Sequence, residues 1–203
     1  MMEVSLGHSQ LDKQRTHARI VDIASKRLRE KGLEGIGVAD LMKEAGMTVG
    51  GFYKHFSSRD ELVAEAIDAA FEKYEQRIEA SGTTPADLPL EDMLNSYLSL
   101  SHRDNPGEGC AFTSLAGDIA RSEGRARHVA TQRFKRNTEL MEGRMKDDDA
   151  AMARQKALLA ICAAAGAVGF ARLVDDEALS EEILATVKRA LLDIAGDKLS
   201  PDK

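Results

Sequence analysis

Thr48 to Leu62 read TVGGFYKHFSSRDEL. Two adjacent glycines, Gly50 and Gly51, fall where the flanking pattern asks for a helix, and Phe52, Tyr53, Lys54, His55 and Phe56 follow at once. Glycine in a helix interior costs roughly 1 kcal/mol relative to alanine, so the pair is expensive unless a bare backbone serves a purpose. Thr48 is a good N-cap for a short helix running to about His55. Ser58-Arg59-Asp60-Glu61 then forms a capping box, in which the serine accepts from a backbone N–H three residues on and the glutamate reaches back.

Upstream, Val38 to Ala45 (VADLMKEA) carries Val38, Leu41, Met42 and Ala45 at helical spacing, and Gly46 ends it. Arg15 to Lys31 places Ile20, Ile23, Ala24 and Leu28 on one face, closed by Gly32. Downstream of the capping box, Leu62, Val63, Ala66, Ile67, Ala70, Phe71 and Tyr74 make the inward stripe of a long helix. Two short helices joined by a tight glycine turn and braced by a longer one make a helix-turn-helix. The second short helix must project and enter a major groove by its N-terminal end. There Thr48 leaves backbone N–H groups pointing at a phosphate, Tyr53, Lys54 and His55 can reach flanking phosphates, and Phe52 and Phe56 anchor the helix from behind.

The chain has 203 residues, 43% hydrophobic, 31% charged and 4% aromatic, with four prolines, which predicts an all-α protein. No segment alternates with period two for long enough to make a sheet. The net charge is −6, unevenly spread: residues 1–60 hold ten Lys/Arg against eight Asp/Glu, and the remainder eighteen against twenty-six. A mildly basic head on an acidic body excludes a general polyanion binder and allows a localised nucleic-acid contact.

Ser81 to Pro89 is a loop and domain boundary. Further helices are expected at Leu90–Arg103, Cys110–Arg121, Gly124–Lys146, Ala150–Val174 and Ser180–Ala195, with a turn at Asp104–Gly109 and helix-start negative charge at Asp147–Asp149. The most apolar run, Leu158 to Ala171, is shorter than a membrane span and reads as a buried helix carrying Cys162. The N-terminus, with Glu3 and Asp12, does not read as a secretory signal, and the two cysteines lack metal or redox spacing. The five histidines share no ligand spacing, so no metal, no cofactor and no catalytic residue is expected, and a cytoplasmic setting is the default.

Residues from about Arg19 to Ile67 resemble the tetracycline-repressor (TetR) family of bacterial transcriptional regulators. The resemblance is carried by Lys31-Gly32, Ala45-Gly46-Met47-Thr48, Gly50, Phe52-Tyr53, Phe56 and Ser58-Arg59-Asp60-Glu61-Leu62, all in register. It implies about nine helices: a three-helix DNA-binding head, residues 1–60, and a larger ligand-binding and dimerisation body, residues 61–203. It implies a homodimer on palindromic double-stranded operator DNA, released by a small molecule, so a repressor rather than an enzyme. The DNA-facing positions would be Thr48, Val49, Gly50, Gly51, Tyr53, Lys54, His55 and Arg59. A pocket would draw on His102, Cys110, Phe112, Leu115, Ile119, Phe134, Leu140, Met141 and Phe170. The second helix departs from the family pattern at Ile36, Gly37 and Ala39, and Val49 stands where a polar residue is usual, so base readout falls on Lys54 and Val49.

The run carrying Ala163, Gly166, Ala167 and Gly169 is either a core helix of a monomer or the seam of a dimer; with Ile183, Leu184, Val187, Leu191 and Ile194 it resembles the family's four-helix dimer interface. Cys110 follows Gly109 near a helix start, where it is either a reactive thiol or a small buried hydrophobe. A DNA-binding protein of the same fold with no effector, and less closely a helical enzyme or adaptor, are the competing readings.

Overall fold

The computed structural model describes residues 3–35, 37–122, 124–145 and 149–196. Among them are nine α-helices, two 3-10 segments and no strand. Helix α1 (Glu3–Lys31) begins upstream of its apolar stripe, because no proline interrupts the polar residues before Arg15. Then come α2 (Val38–Glu44) and a 3-10 segment, Val49–Lys54. Between them Gly46 sits at φ +68°, its N–H on Lys43 O and the Met47 N–H on Met42 O, a Schellman ending that only glycine enters without strain. Ser58 caps α3 (Arg59–Ala80) by accepting from Glu61 N at 3.1 Å, and the Glu61 carboxylate returns to the Ser57 N–H and hydroxyl.

The expected helix 90–103 is two: α4 (Leu90–Tyr97) and α5 (Leu100–Asp104). Leu98 leaves helical geometry, and Ser99 starts afresh by accepting from His102 N. A 3-10 turn, Pro106–Glu108, leads to α6 (Ala111–Arg121), followed by α7 (Arg125–Glu142), α8 (Ala150–Leu173) and α9 (Glu177–Ala195). Asp149 caps α8 through Ala151 N, whereas Asp147 and Asp148 lie outside the described residues, as does Ile36.

One core cluster joins Ile20, Leu28, Met42, Phe52, Phe56 and Ile67 to Leu115 and Ile119 of α6, so the head shares its interior with the body. A second fills α4, α7, α8 and α9 around Leu94, Met141, Val168, Leu184 and Leu191. Helix α8 is long and apolar enough to cross a bilayer by length and composition. Its Ala157, Ala160 and Val168 nevertheless lie inside the bundle, and its Arg172 donates to the carbonyls of Arg103 and His102. Cys162, expected in the core, is exposed: a 24-residue helix packed on one side turns part of even its apolar run outward.

Candidate nucleic-acid interface and ligand cavity

The 3-10 segment divides cleanly into two faces. Phe52 and Phe56 are 2% and 1% exposed, with rings 5.4 Å apart, and hold the segment on α1, α2 and α3. Thr48, Val49, Gly50, Tyr53 and Lys54 face outward, Tyr53 being 76% exposed. A Cβ at Gly50 would meet nothing within 4 Å, and its φ is not positive. The fold itself therefore gives no reason for glycine there. Thr48 makes no side-chain cap hydrogen bond, so its hydroxyl is not spent on the helix start.

Three expected contact positions are placed otherwise. Gly51 is buried, with Met42, Met47 and Thr48 side-chain atoms 3.6–3.8 Å from where its Cβ would be, so it serves packing rather than an outside partner. His55 turns towards α1, its ring centroid 6.0 Å from that of His17, and its buried Nδ1 has no hydrogen-bond partner among the described residues. Burial and the cations around it push its pKa down, so its ring is neutral and offers no charge to a phosphate. Arg59 donates to Leu33 O and to Glu34 Oε1 at 3.3 Å, tying α3 to the turn after α1. Its register in the sequence is right, but a carbonyl and a carboxylate of the same head claim the guanidinium first.

A shallow groove lined by Asp12, Lys13, Thr16, Met47, Lys54 and His55 brings α1 beside the end of the 3-10 segment. Lys13 and Thr16 were not singled out from sequence. The only signal was their spacing of three on a helix whose apolar stripe lies elsewhere.

In the body, a cavity of about 820 Å³ lies among α3, α4, α6, α7 and α8. Phe71, Leu94, Tyr97, Phe112, Met141 and Ile161 give it apolar and aromatic walls. Of the expected pocket residues, His102, Cys110, Phe112, Leu140 and Met141 line it. The others do not. Leu115 and Ile119 are 2% and 5% exposed and belong to the shared core, because α6 turns that face towards α1. Phe134 stacks edge-on behind Phe112 at 5.6 Å, and Phe170 is 60% exposed on the outside of α8. Sequence reading missed Tyr97, Asn137 and Arg144 as lining residues. Tyr74, the last member of the α3 apolar stripe, carried the one usable hint.

His102 sits at the cavity wall with both ring nitrogens engaged. Nε2 accepts from the Cys110 backbone N–H at 2.9 Å, which can only donate, so the proton is on Nδ1, 2.6 Å from Tyr97 O. Burial is the main cause of its lowered pKa, opposed by the bond to Tyr97 O. The unfolded ring takes up a proton near pH 6.5 and the folded ring only below that, so stability is lost as pH falls from about 6.5 towards the folded value. The expected result is a melting temperature that drops between pH 7 and 5, less steeply in His102→Gln. An unchanged slope in that variant would refute it.

Head and cavity are hooked together at two points. Arg29 of α1 is 5% exposed and donates Nε (3.0 Å) and Nη2 to Gly107 O, in the turn whose neighbours Glu108 and Cys110 line the cavity. Asp118 of α6 accepts from the Leu33 N–H at 2.9 Å. Around the first hook, Glu108 meets Lys26, Lys73 and Arg77 at 3.7–4.0 Å.

The helix-turn-helix segment and the fold as a whole each have counterparts among known proteins. A family model described as "Bacterial regulatory proteins, tetR family" matches residues 20–66. Over these residues the chain is similar to that family. The HTH-type transcriptional regulator PksA of Bacillus subtilis is 31% identical over 91 residues, 45% of this chain and 44% of PksA. The chain spans about half the length of the curated HTH-type regulators it matches. A TetR-family regulator from Cytophaga hutchinsonii shares the fold at TM-score 0.72 and 17% identity, over 90% of this chain and 96% of that one. AibR, solved with isovaleryl coenzyme A and operator DNA, does so at 0.59 and 16%, over 86% and 97%. Among the described residues, no three or more His, Cys, Asp or Glu side chains gather as a metal site.

Proposed function

We propose that this TetR-family protein is a cytoplasmic, ligand-responsive transcriptional regulator, not an enzyme: a repressor that binds a near-palindromic operator as a homodimer and releases it when a small molecule enters the body. Residues 1–60 would read DNA, and residues 61–203 would bind ligand and partner. The observation that carries the reading is the outward strip of Thr48, Val49, Gly50, Tyr53 and Lys54, left bare at Gly50 for no reason internal to the fold. With no side chain at Gly50 the segment can approach the floor of a major groove. Lys54 can donate to a base or a phosphate, and Val49 can touch a thymine methyl. PksA, AibR and the Cytophaga protein are all named as regulators or found on operator DNA, which supports the reading.

Homodimerisation is supported by Met152, Leu159, Phe170 and Leu173, exposed at helical spacing along α8, with Gly166 and Gly169 open between them. Ala167 and the α9 residues Leu184 and Leu191 are buried in their own bundle. The seam is therefore the outer stripe of α8 with the half-buried Ile183, Val187 and Ile194. A two-fold pair would set two heads on successive major grooves, about 34–36 Å apart. Ligand response follows from the hooks: a molecule that shifts the Gly107–Cys110 segment moves the carbonyl held by Arg29, and with it α1. The shift in DNA affinity is bounded by the ligand's differential affinity for the two head arrangements.

Selection of bound sites from a random DNA pool tests the reading. A two-fold symmetric consensus is expected, and no enrichment at low salt would overturn it. Lys13→Ala and Lys54→Ala should each weaken binding and lower the slope of log K against log salt by about 1, as one lost phosphate contact does. Relaxed base preference is expected only for Lys54→Ala.

A further inference from the structure

The cavity's arginines already have acceptors within the protein and its carboxylates outnumber them, and this decides what it can hold. Two arginines line it. Arg144 donates Nε to Leu88 O at 3.2 Å, Nη1 to Leu140 O at 2.5 Å and Nη2 to Pro85 O. Arg77 donates to Glu108 O at 3.1 Å and stands 3.9 Å from the Glu108 carboxylate. His102 is neutral and doubly bonded. Arg172, behind Gly109, is taken by two carbonyls and the Ser114 hydroxyl. Against these stand three lining carboxylates: Glu75, shared between Arg133 and Arg136 at 3.4 Å each, Glu108, and Asp92 at an exposed position. An entering anion would meet a lining in which carboxylates outnumber arginines, with Arg144 held by three carbonyls and Arg77 facing Glu108, so its lost hydration would be only partly replaced, and a desolvated ion costs several kcal/mol.

What the walls do offer is apolar and aromatic surface with a few neutral polar groups. Tyr74 on α3 and the Asn137 amide on α7 line the cavity and make no hydrogen bond to another described residue. A cavity of this size and lining suits a ligand of ordinary small-molecule dimensions, fixed by one or two hydrogen bonds.

We propose that the cavity takes an uncharged, largely apolar molecule with one or two hydrogen-bonding groups, and rejects carboxylates, phosphates and coenzyme A esters. This rests on the reading of the cavity as the effector site. It separates this chain from AibR, whose solved complex contains an acyl coenzyme A.

Two fluorescent probes with one ring skeleton test the proposal on the full chain: uncharged N-phenyl-1-naphthylamine and its sulfonate relative, 8-anilino-1-naphthalenesulfonate. The neutral probe should bind at least ten-fold more tightly. Leu140→Trp, which intrudes on the cavity from its wall, should weaken that binding about ten-fold. Asn137→Arg, which supplies a further cation with no acceptor of its own, should raise sulfonate affinity above the wild-type value. Sulfonate binding equal to or tighter than neutral binding in the wild type overturns the charge argument while leaving the cavity as a ligand site. No response to Asn137→Arg likewise overturns the charge argument. Binding of neither probe, or neutral binding untouched by a folded Leu140→Trp, overturns the proposal together with the effector-site reading. The two failures are thus distinguishable.

Discussion

Gly50→Glu is expected to abolish operator binding while leaving thermal unfolding unchanged, whereas Gly51→Glu should collapse the head itself. The two glycines are neighbours in sequence and differ completely in surroundings. A Cβ at Gly50 meets nothing within 4 Å, so a glutamate there stays in water at no cost to the fold and presents bulk and negative charge to the DNA. Gly51 is buried against Met42 and Met47, where a carboxylate would lie in apolar surroundings without a partner. An uncompensated buried charge costs about 3–5 kcal/mol, a large share of a domain's total stability. The Cβ distances at Gly51, 3.6 Å and longer, are ordinary contacts, so Gly51→Ala should fold normally. Gel retardation and thermal unfolding measured on the same preparations decide the matter. Retention of the operator by Gly50→Glu, or an unchanged melting temperature for Gly51→Glu, would contradict the assigned orientation of the segment.

Phe170→Asp is expected to convert a dimer to a monomer and to weaken operator binding by about 10²–10⁴-fold, the advantage normally conferred by linking two binding modules. Phe170 and Leu173 are 60% and 74% exposed on α8, and Leu159, 52% exposed, lies three turns before Phe170. An exposed apolar stripe of this extent on a helical bundle marks a contact surface. An aspartate in its middle leaves the monomer's own core untouched, because Val168 and Ala171 carry the packing on the other side of the helix. Light scattering gives the mass directly. A variant that keeps twice the chain mass would move the interface away from α8. A monomeric protein that still binds full-length operator as tightly as the wild type would remove the need for a two-fold pair.

Local interactions made the head legible. Capping of α3 by Ser58, the Schellman turn at Gly46 and the burial of Phe52 and Phe56 all depend on residues within a few positions of one another, where spacing alone determines neighbours. The break between Leu98 and Ser99 escaped notice because Ser99 competes with helix continuation, and the outcome depends on where Leu94 and Leu98 find their core. Arg59 and His55 were misplaced for a related reason. A cation's reach is plain in sequence, but its nearest acceptor is not, and Leu33 O and Glu34 lie 25 or more residues away.

In the body the sequence placed most helices but joined α4 and α5 into one, and only some of the residues it named face the cavity. His102, Cys110, Phe112 and Met141 do line one cavity, while Phe170 and Cys162 face out and Leu115 and Ile119 bind the head to the body. An apolar side chain has the same pattern whether it meets a cavity, a core or a second copy of the chain.

The sequence by itself determined an all-helical chain with a helix-turn-helix head, because helix caps, glycine turns and 3.6-residue periodicity are short-range. Only the tertiary structure decided that Gly50 faces outward and Gly51 inward, that Arg29 grips Gly107 across 78 residues, and that both arginines at the cavity already have acceptors within the protein. Those facts depend on which distant groups converge on one charge or one backbone atom, and no spacing rule encodes that.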